Sequence, residues 1–366
     1  MNFELDEEQG MVRDLVTRFV DGRSNLDSRT RARSTPEGFS TANWRMLGEL
    51  GLLALPFGTD IGGMGGGLVE LITVMEGFGT GLIAEPYLPD LLLAARLLER
   101  AGSASQKAAW LPAIVRGERR LALAHMERAA RFNPLFVECS ATAHRDGTTL
   151  QGAKTFVQAG AGVDAFIVSA RTSGSTDEPD GLSLWIVAAD APGLERQPYR
   201  LLDGSVALEL RFHETPAESL DGGAAALLET FDEARIAACA EMVGVMTMLF
   251  DATLEHLRTR KQFGQPIGSF QAIQHRMADH YAALEQSRSH MLRTALMPRD
   301  ASVVAGAKAF IGAAAVRLGD DCVHLHGGMG ITDELVIGHG HKRILLLASL
   351  LGDSESELSR YVELTR

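Results

Sequence analysis

The sequence predicts a mainly α-helical protein with a β domain in its middle. Apolar residues recur at helical spacing before Gly117 and again from Ala224 onwards. Between Leu121 and about Ala217 they alternate with polar residues in short runs, which is typical of strands. A chain of 366 residues is also too long for one compact core. We therefore expect an N-terminal helical domain (residues 1–119), a small β-barrel or sandwich domain (120–220) and a C-terminal four-helix bundle (221–366).

The N-terminal block is predicted to be helical throughout. An apolar stripe with charges on the opposite face opens the chain, and it includes Leu5, Met11, Leu15 and Phe19. The glycine-rich stretch Pro56 to Gly67 follows no strand pattern, so we interpret it as a tight connection and not as a phosphate loop. Further helices are expected at residues 69–78, 88–100 and 106–115.

The middle block contains short runs of strand character, separated by Gly, Asp and Pro. These runs are RLALAHM, TTLQGAKTFV, AFIVSAR, LSLWIVAA and ALELRFH. The stretch Arg171 to Gly181 is rich in Ser, Asp, Pro and Gly, which predicts a surface loop.

Long apolar-striped segments fill the C-terminal block. They run from Leu228 to Arg258, from Phe270 to Met297 and from Val303 to Leu318. Their length and their stripes indicate a bundle that also supplies an oligomer face.

Composition excludes several classes of protein. A net charge of -12 gives no general attraction to nucleic acid. The acidic opening MNFELDEEQG predicts neither a signal peptide nor a transit peptide, and we expect no apolar run of membrane length. Three distant cysteines argue against a disulfide framework, which favours a cytoplasmic protein. The pairs His324-x-His326 and His339-x-His341 lack Cys or carboxylate partners at useful spacing, so we expect no metal site.

Two motifs identify a family resemblance. They are RKQFGQPIGSFQAIQHRMAD, from Arg260 to Asp279, and HLHGGMGI, from His324 to Ile331. Together with the order of helical, β and helical blocks, they resemble the acyl-CoA dehydrogenase family over the whole chain. Within it, the sequence is most similar to the small-subunit type of pimeloyl-CoA dehydrogenases, and heteromeric enzymes of steroid side-chain breakdown are a related comparison.

The resemblance implies an activity, a cofactor and partners. Family members remove two hydrogens from an acyl-CoA thioester in β-oxidation and other lipid metabolism. A carboxylate takes the α proton, and FAD takes the β hydrogen as hydride. The implied partners are acyl-CoA, further subunits of a dimer or tetramer, and electron-transfer flavoprotein as the electron acceptor.

Arg260 is the first candidate cofactor residue. It ends a long predicted helix, and its guanidinium can fork onto two phosphate oxygens, which a lysine cannot do. In the resembling family, this segment meets the FAD of the neighbouring subunit. The contacts implied there are those of Arg260, Gln262, Phe263 and Gln271.

The second motif contains adjacent glycines, Gly327 and Gly328, which let a ligand approach the backbone closely. In the family it contacts the adenine and pyrophosphate side of FAD across a subunit interface. His324 stands where the family usually has Gln, and both side chains form hydrogen bonds.

The flavin-ring side departs from the family pattern. A loop that wraps the flavin ring in the family corresponds here to Met126–Pro134, which keeps Glu127 but has Met126 in place of a Thr. The family's W-I-T motif is replaced by Phe156-Val157-Gln158. Glu127, a stacking Phe156 and a hydrogen-bonding Gln158 are the candidate contacts on this side.

The position of the catalytic base also departs from the family. Its Glu in the loop before the last helix aligns with Gly352 or with Asp353. Other members have a Glu beside an Arg early in the long helix, where this chain has Ala234 before Arg235. The remaining candidates for the base are Asp353 and Glu241, and Arg235 is a candidate substrate-binding residue. Glu241 lies in an apolar stretch, where the alternative is a paired structural carboxylate.

The motifs that reach a neighbour's FAD are intact, whereas those of the chain's own site are altered. The altered positions are Met126, Ala129, Arg131, Ala234 and Gly352. The pattern predicts one subunit of a heteromeric acyl-CoA dehydrogenase, with a paralogous large subunit supplying the catalytic Glu. The alternatives are a self-sufficient homomer using Asp353 or Glu241, a scaffold subunit without flavin, and a flavin oxidase or monooxygenase of the same fold.

Overall fold

The computed structural model describes residues 5–366. Its α-helices are α1 Glu7–Arg23, α2 Leu26–Ser34, α3 Thr41–Glu49, α4 Leu68–Thr80, α5 Arg96–Ala101, α6 Ala104–Val115, α7 Ala224–Thr259, α8 Gln271–Leu296, α9 Ala301–His326, α10 Val336–Ser349 and α11 Ser354–Leu364. Its strands are β1 Leu121–Ala124, β2 Ser140–His144, β3 Gly147–Gln158, β4 Ala165–Arg171, β5 Leu182–Ala188, β6 Leu194–Arg200, β7 Val206–Gly223, β8 Lys261–Gln262 and β9 Gln265–Pro266.

The chain divides into two compact units. One consists of residues 5–30, Gly67–Ile83 and Arg235–Arg366, and the other of Arg31–Gly66 and Ala84–Ala234. The domain boundaries expected after residues 119 and 220 stay predictions.

The first unit is helical apart from one short hairpin. The Asp6 side chain accepts a hydrogen bond from the Gln9 N–H and so caps α1. Helices α4 and α7 approach closely at two glycines. A Cβ on Gly79 would lie 2.1 Å from the Glu241 carbonyl oxygen, and one on Gly244 would lie 2.0 Å from that of Glu76. Only glycine permits this contact between the two backbones.

Helix α9 is the central helix of the C-terminal part, where it packs against α8, α10 and α11. The expectation that no apolar run reaches membrane length is wrong. Ala224–Thr259 and Ala301–Ile331 are long and apolar enough by length and composition, but 78% and 61% of their most apolar windows are buried within the protein. They are core helices, because their apolar surface is covered by their own neighbours.

The second unit contains a seven-stranded sheet. Strand β4 lies between parallel β1 and antiparallel β5, and β7 pairs with β3, β5 and β6. Strand β2 is antiparallel to β3 but joins β4 at the single pair Ser140↔Arg171. One pair does not make a closed barrel, so the β domain is confirmed and the barrel is not.

Most of the expected elements are confirmed, and the differences have local causes. The loop from Arg171 to Gly181 does connect β4 and β5. The helix expected at 88–100 is present, but its first part, Tyr87–Ala95, is a π-helix that continues into α5. Helix α2 lies in the block predicted to be helical, although its sequence LDSRTRARS carries no apolar periodicity. Strand β6 was not expected, because its sequence LERQPYR shows no apolar alternation.

Candidate active site

The beginning of the first motif forms an exposed β-hairpin in the helical unit. Strands β8 and β9 are antiparallel, and Phe263 and Gly264 connect them with φ of 55° and 81°. Positive φ at both central residues gives a type I′ turn, in which a bulky residue such as Phe is strained. The Phe263 side chain is 90% exposed and contacts Phe270 edge-on. A strained, exposed aromatic residue is typical of a side chain held out for another molecule.

The polar residues of this motif are also presented outwards. Arg260, Gln262 and Gln271 are all exposed. Within residues 5–366, the Arg260 guanidinium makes no hydrogen bond or ion pair. The planar guanidinium of Arg260, with its N–H donors available, fits a phosphate group. The side-chain amides of Gln262 and Gln271 fit further polar atoms of a nucleotide. The hairpin and the start of α8 therefore offer donors that fit a phosphate-bearing cofactor such as FAD.

The second motif lies at the C-terminus of α9. Gly327 ends the helix with φ of 60°, and Gly328 continues into a 3-10 turn, Gly327–Ile331. An added Cβ would meet nothing within 4 Å at either glycine, so this backbone is open to a ligand. His324 is exposed one turn earlier.

A stacked pair of histidines brings the two motifs together. The His256 ring in the last turn of α7 stacks on that of His326, with ring centroids 4.2 Å apart. The Arg260 N–H donates to the His256 carbonyl over 2.8 Å. Burial, together with the charges of His326 and Arg260, lowers the pKa of His256. The motifs thus share one end of the helical unit, where the positive charge of Arg260 favours an anion.

Both candidate bases have structural partners. The Asp353 Oδ1 accepts the Ser356 N–H over 2.8 Å and caps α11. The buried Glu241 carboxylate accepts from Nε and Nη2 of Arg343 over 2.6 and 2.9 Å. The pair of Glu241 with Arg343 matches the alternative stated for Glu241 in the sequence analysis, a paired structural carboxylate. A role as base for either residue stays a prediction.

Arg235 lies inside the bundle. Its Nε donates to Glu357 over 2.6 Å, and its Nη2 donates to the Leu351 carbonyl over 2.7 Å. Both side chains of the Arg235–Glu357 pair are almost fully buried. These bonds give Arg235 a structural role, and substrate binding by it stays a prediction.

Gly352 is fixed by its surroundings. Its φ is 133°, and an added Cβ would lie 2.4 Å from Glu357 Oε1. Any side chain at Gly352, one of the two positions that align with the Glu of the family pattern, would displace the partner of Arg235. Glu357 was missed by sequence reasoning, although it stands three residues before Arg360 in the same amphipathic helix.

A buried lysine completes this region. Lys308 Nζ donates to the carbonyls of Leu347 and Ala348 at the end of α10, over 2.8 and 2.9 Å. Burial lowers the pKa of Lys308 to about 8. Lysine at a helix C-terminus satisfies otherwise unpaired carbonyls.

In the β unit, Glu127 is tied to the sheet. Its carboxylate accepts from Lys154 Nζ over 2.6 Å and from the N–H groups of Glu138 and Cys139 over 2.7 and 3.0 Å. Lys154 is fully buried and also donates to the Ser169 hydroxyl. These bonds hold the start of the loop Met126–Pro134, and they occupy the Glu127 oxygens. Sequence reasoning missed Lys154, whose only signal was a lysine inside an apolar strand.

Phe156 and Gln158 lie at an irregular part of β3. The pairing of β3 with β7 shifts between Lys154 and Val157, and Phe156 has φ of 54°. A bulge of this kind re-aims a side chain and is common beside active sites. Both side chains are partly exposed, and their flavin contacts stay predictions.

Comparison with known proteins identifies the family. The profile of the acyl-CoA dehydrogenase N-terminal domain matches residues 6–118, and that of the C-terminal domain matches residues 221–363. The probable acyl-CoA dehydrogenase YngJ of Bacillus subtilis is 30% identical over 379 residues, covering 99% of this chain and 98% of the relative.

Two solved structures are similar over the full length. The ChsE4–ChsE5 complex from Mycobacterium tuberculosis matches with a TM-score of 0.90 and 27% identity, covering 99% of this chain and 98% of that one. A variant of the Tcur3481–Tcur3483 steroid ACAD matches with a TM-score of 0.89 and 29% identity, covering 98% of each chain. These matches confirm the order of helical, β and helical domains and the flavoprotein oxidoreductase class. The chain belongs to the acyl-CoA dehydrogenase family.

Proposed function

We propose that this chain is a subunit of a heteromeric, FAD-dependent acyl-CoA dehydrogenase of the pimeloyl-CoA dehydrogenase small-subunit type. It catalyses α,β-dehydrogenation of an acyl-CoA thioester together with a paralogous large subunit, whose FAD site it completes. The observation that supports this is the segment from Arg260 to Gln271, which contains the exposed hairpin of β8 and β9. Its Phe263 is 90% exposed in a strained turn, and the Arg260 guanidinium has no hydrogen-bond or ion-pair partner within residues 5–366.

The candidate bases point the same way. Glu241 is held by Arg343, Asp353 caps a helix, and Gly352 packs on Glu357. A base must reach the α proton of the substrate, and the carboxylates of Glu241 and Asp353 are already hydrogen-bonded within the bundle. The catalytic Glu therefore comes from the large subunit.

FAD, when bound, accepts the β hydrogen of the thioester as hydride. This chain contributes binding and orientation. Arg260 donates to phosphate oxygens of the partner's cofactor, and Gln262 and Gln271 donate to further polar atoms. Phe263 covers the cofactor and excludes water, while the open backbone at Gly327 supplies N–H donors.

Relatives support the assembly. Both solved structures named above are described by the names of two proteins, ChsE4–ChsE5 and Tcur3481–Tcur3483. The steroid ACAD among them makes a bulky acyl-CoA one candidate substrate class. The complex acts in the cytoplasm and passes its electrons to electron-transfer flavoprotein.

Purification decides between this proposal and its alternatives. The chain is produced alone, and then together with each acyl-CoA dehydrogenase paralogue of the same genome, starting with a neighbouring gene. We expect colourless protein alone and a yellow complex with one paralogue, which an acyl-CoA bleaches without oxygen. Yellow protein from the chain alone that an acyl-CoA bleaches contradicts the proposal and indicates a homomer. Oxygen-dependent peroxide release during turnover indicates an oxidase.

Variants in the yellow complex locate the base. Glu241→Gln and Asp353→Asn in this chain should leave turnover within tenfold, because removal of a general base costs about 10²–10⁴ in rate. Replacement of the paralogue's Glu by Gln should abolish turnover. A loss of that size from either variant of this chain would return the base to it.

A further inference from the structure

Four polar side chains form a chain of hydrogen bonds between α8 and α9, beside the second motif. His280 Nε2 lies 2.6 Å from Asp321 Oδ2, and the Arg276 guanidinium donates to the same carboxylate. Nη2 of Arg276 then lies 3.2 Å from Nδ1 of His324. Arg276, His280 and Asp321 are not among the residues proposed above to contact the cofactor.

The chemistry of these groups fixes the proton on His324. A guanidinium has only donors, so Nδ1 of His324 must be the acceptor in its bond with Arg276. The neutral imidazole then carries its proton on Nε2, on the other edge of the ring. His324 is exposed, which leaves this N–H open to another molecule.

Asp321 holds Arg276 in place. Burial raises the pKa of Asp321, but hydrogen bonds from Arg276 and His280 outweigh it and hold that pKa below its usual range. Asp321 is therefore ionised near neutral pH and keeps the arginine turned towards α9. A residue that hydrogen-bonds to one ring nitrogen of a histidine commonly sets its tautomer and its ring orientation.

We propose that Arg276, held by Asp321, is a positioning residue that locks His324 as the Nε2–H tautomer. The outward N–H donates to an acceptor on the nucleotide half of the partner subunit's FAD. This inference rests on the proposed function. It also explains how His324 replaces the Gln that the family usually has there, because a Gln amide donates without any choice of tautomer.

The tautomer is measured directly on the full chain. Protein labelled with ¹⁵N-histidine is examined by long-range ¹H–¹⁵N spectroscopy at pH 7.5, and the His324 signals are assigned as those missing from His324→Gln. We expect the Nε2–H form in the wild type and in Arg276→Lys, since lysine also only donates. Arg276→Glu places an acceptor beside Nδ1 and should move the proton there. The Nδ1–H form in the wild type, or identical spectra for the Glu and Lys variants, overturns the proposal.

A double-mutant cycle tests what the tautomer does for cofactor binding. In the yellow complex, Arg276→Glu should raise the dissociation constant of FAD about tenfold, the loss of one hydrogen bond. In the His324→Gln background, Arg276→Glu should change the dissociation constant of FAD less than twofold. Any direct charge repulsion between the new carboxylate and FAD is common to both backgrounds, so it cancels in the comparison. Equal effects in the two backgrounds overturn the proposal.

The two levels of inference fail in different ways. If Arg260→Ala and His324→Ala both leave FAD retention unchanged, the proposed cofactor site is wrong, and the positioning role in it falls too. If only the Arg276 variants are silent, the cofactor site stands and the positioning role alone is wrong.

Discussion

Glu241 and Arg343 give the sharpest test of which carboxylates are structural. The pair makes two hydrogen bonds of 2.6 and 2.9 Å, and its side chains are 4% and 17% exposed. Arg343→Met leaves the Glu241 carboxylate buried without this partner, which costs about 3–5 kcal/mol. Glu241→Leu combined with Arg343→Met removes both charges, and replacing such a pair by apolar residues is close to neutral, about 0–1 kcal/mol. The magnitude of the coupling energy between the two sites is then at least roughly 3 kcal/mol, and any cost of Glu241→Leu alone adds to it.

The assay is urea unfolding of the assembled protein at one fixed concentration, because association contributes to stability. Both single variants and the double variant are compared with Asp14→Asn. Asp14 forms an ion pair with Arg13 at 2.9 Å, but those side chains are 60–65% exposed. That exposed pair should contribute less than about 1 kcal/mol.

The coupling energy decides the outcome. A double variant as unstable as the sum of the two single variants would show that the pair has no structural role. Glu241 would then not be committed to Arg343 and would be available as a base.

Two further predictions concern the base region. Burial lowers the pKa of Lys308 from 10.5 to about 8. Between these two pH values the unfolded chain binds more protons than the folded chain, so the free energy of unfolding should rise with pH. Lys308→Met should remove this rise, as measured by urea midpoints at pH 7.5 and 10. Gly352→Ala should destabilise the protein by about 1–3 kcal/mol more than Gly147→Ala. Their φ values are 133° and 138°, but only at Gly352 would the new Cβ strike Glu357, so equal thermal shifts would refute the clash.

Much of the architecture follows from periodicity alone. Helices α7, α8 and α9 were expected from their apolar stripes, and the strands from alternation. The elements that escaped prediction have little of either signal. Every residue of strand β6 pairs with β7, and its polar sequence gives no signal that predicts this tertiary pairing.

The candidate site was predictable where it is local in sequence. The exposure of the Arg260–Gln271 segment follows from a short motif with its own turn. The partners of Glu127, Arg235 and Glu241 are 27, 122 and 102 residues away, and no spacing rule connects them. Such pairs depend on the packing of distant elements, and so their structural roles emerged only from the fold.

Flavin binding by the assembled complex tests the central claim most directly. Complexes containing wild-type chain, Arg260→Ala or Arg299→Ala are compared for FAD affinity, Arg299 being an exposed arginine between α8 and α9. Loss of charge-assisted phosphate contacts, about 1.5–3 kcal/mol, should weaken FAD binding more than tenfold in Arg260→Ala. Arg299→Ala should match the wild type. Equal affinity in all three complexes would contradict the claim that this chain completes its partner's FAD site.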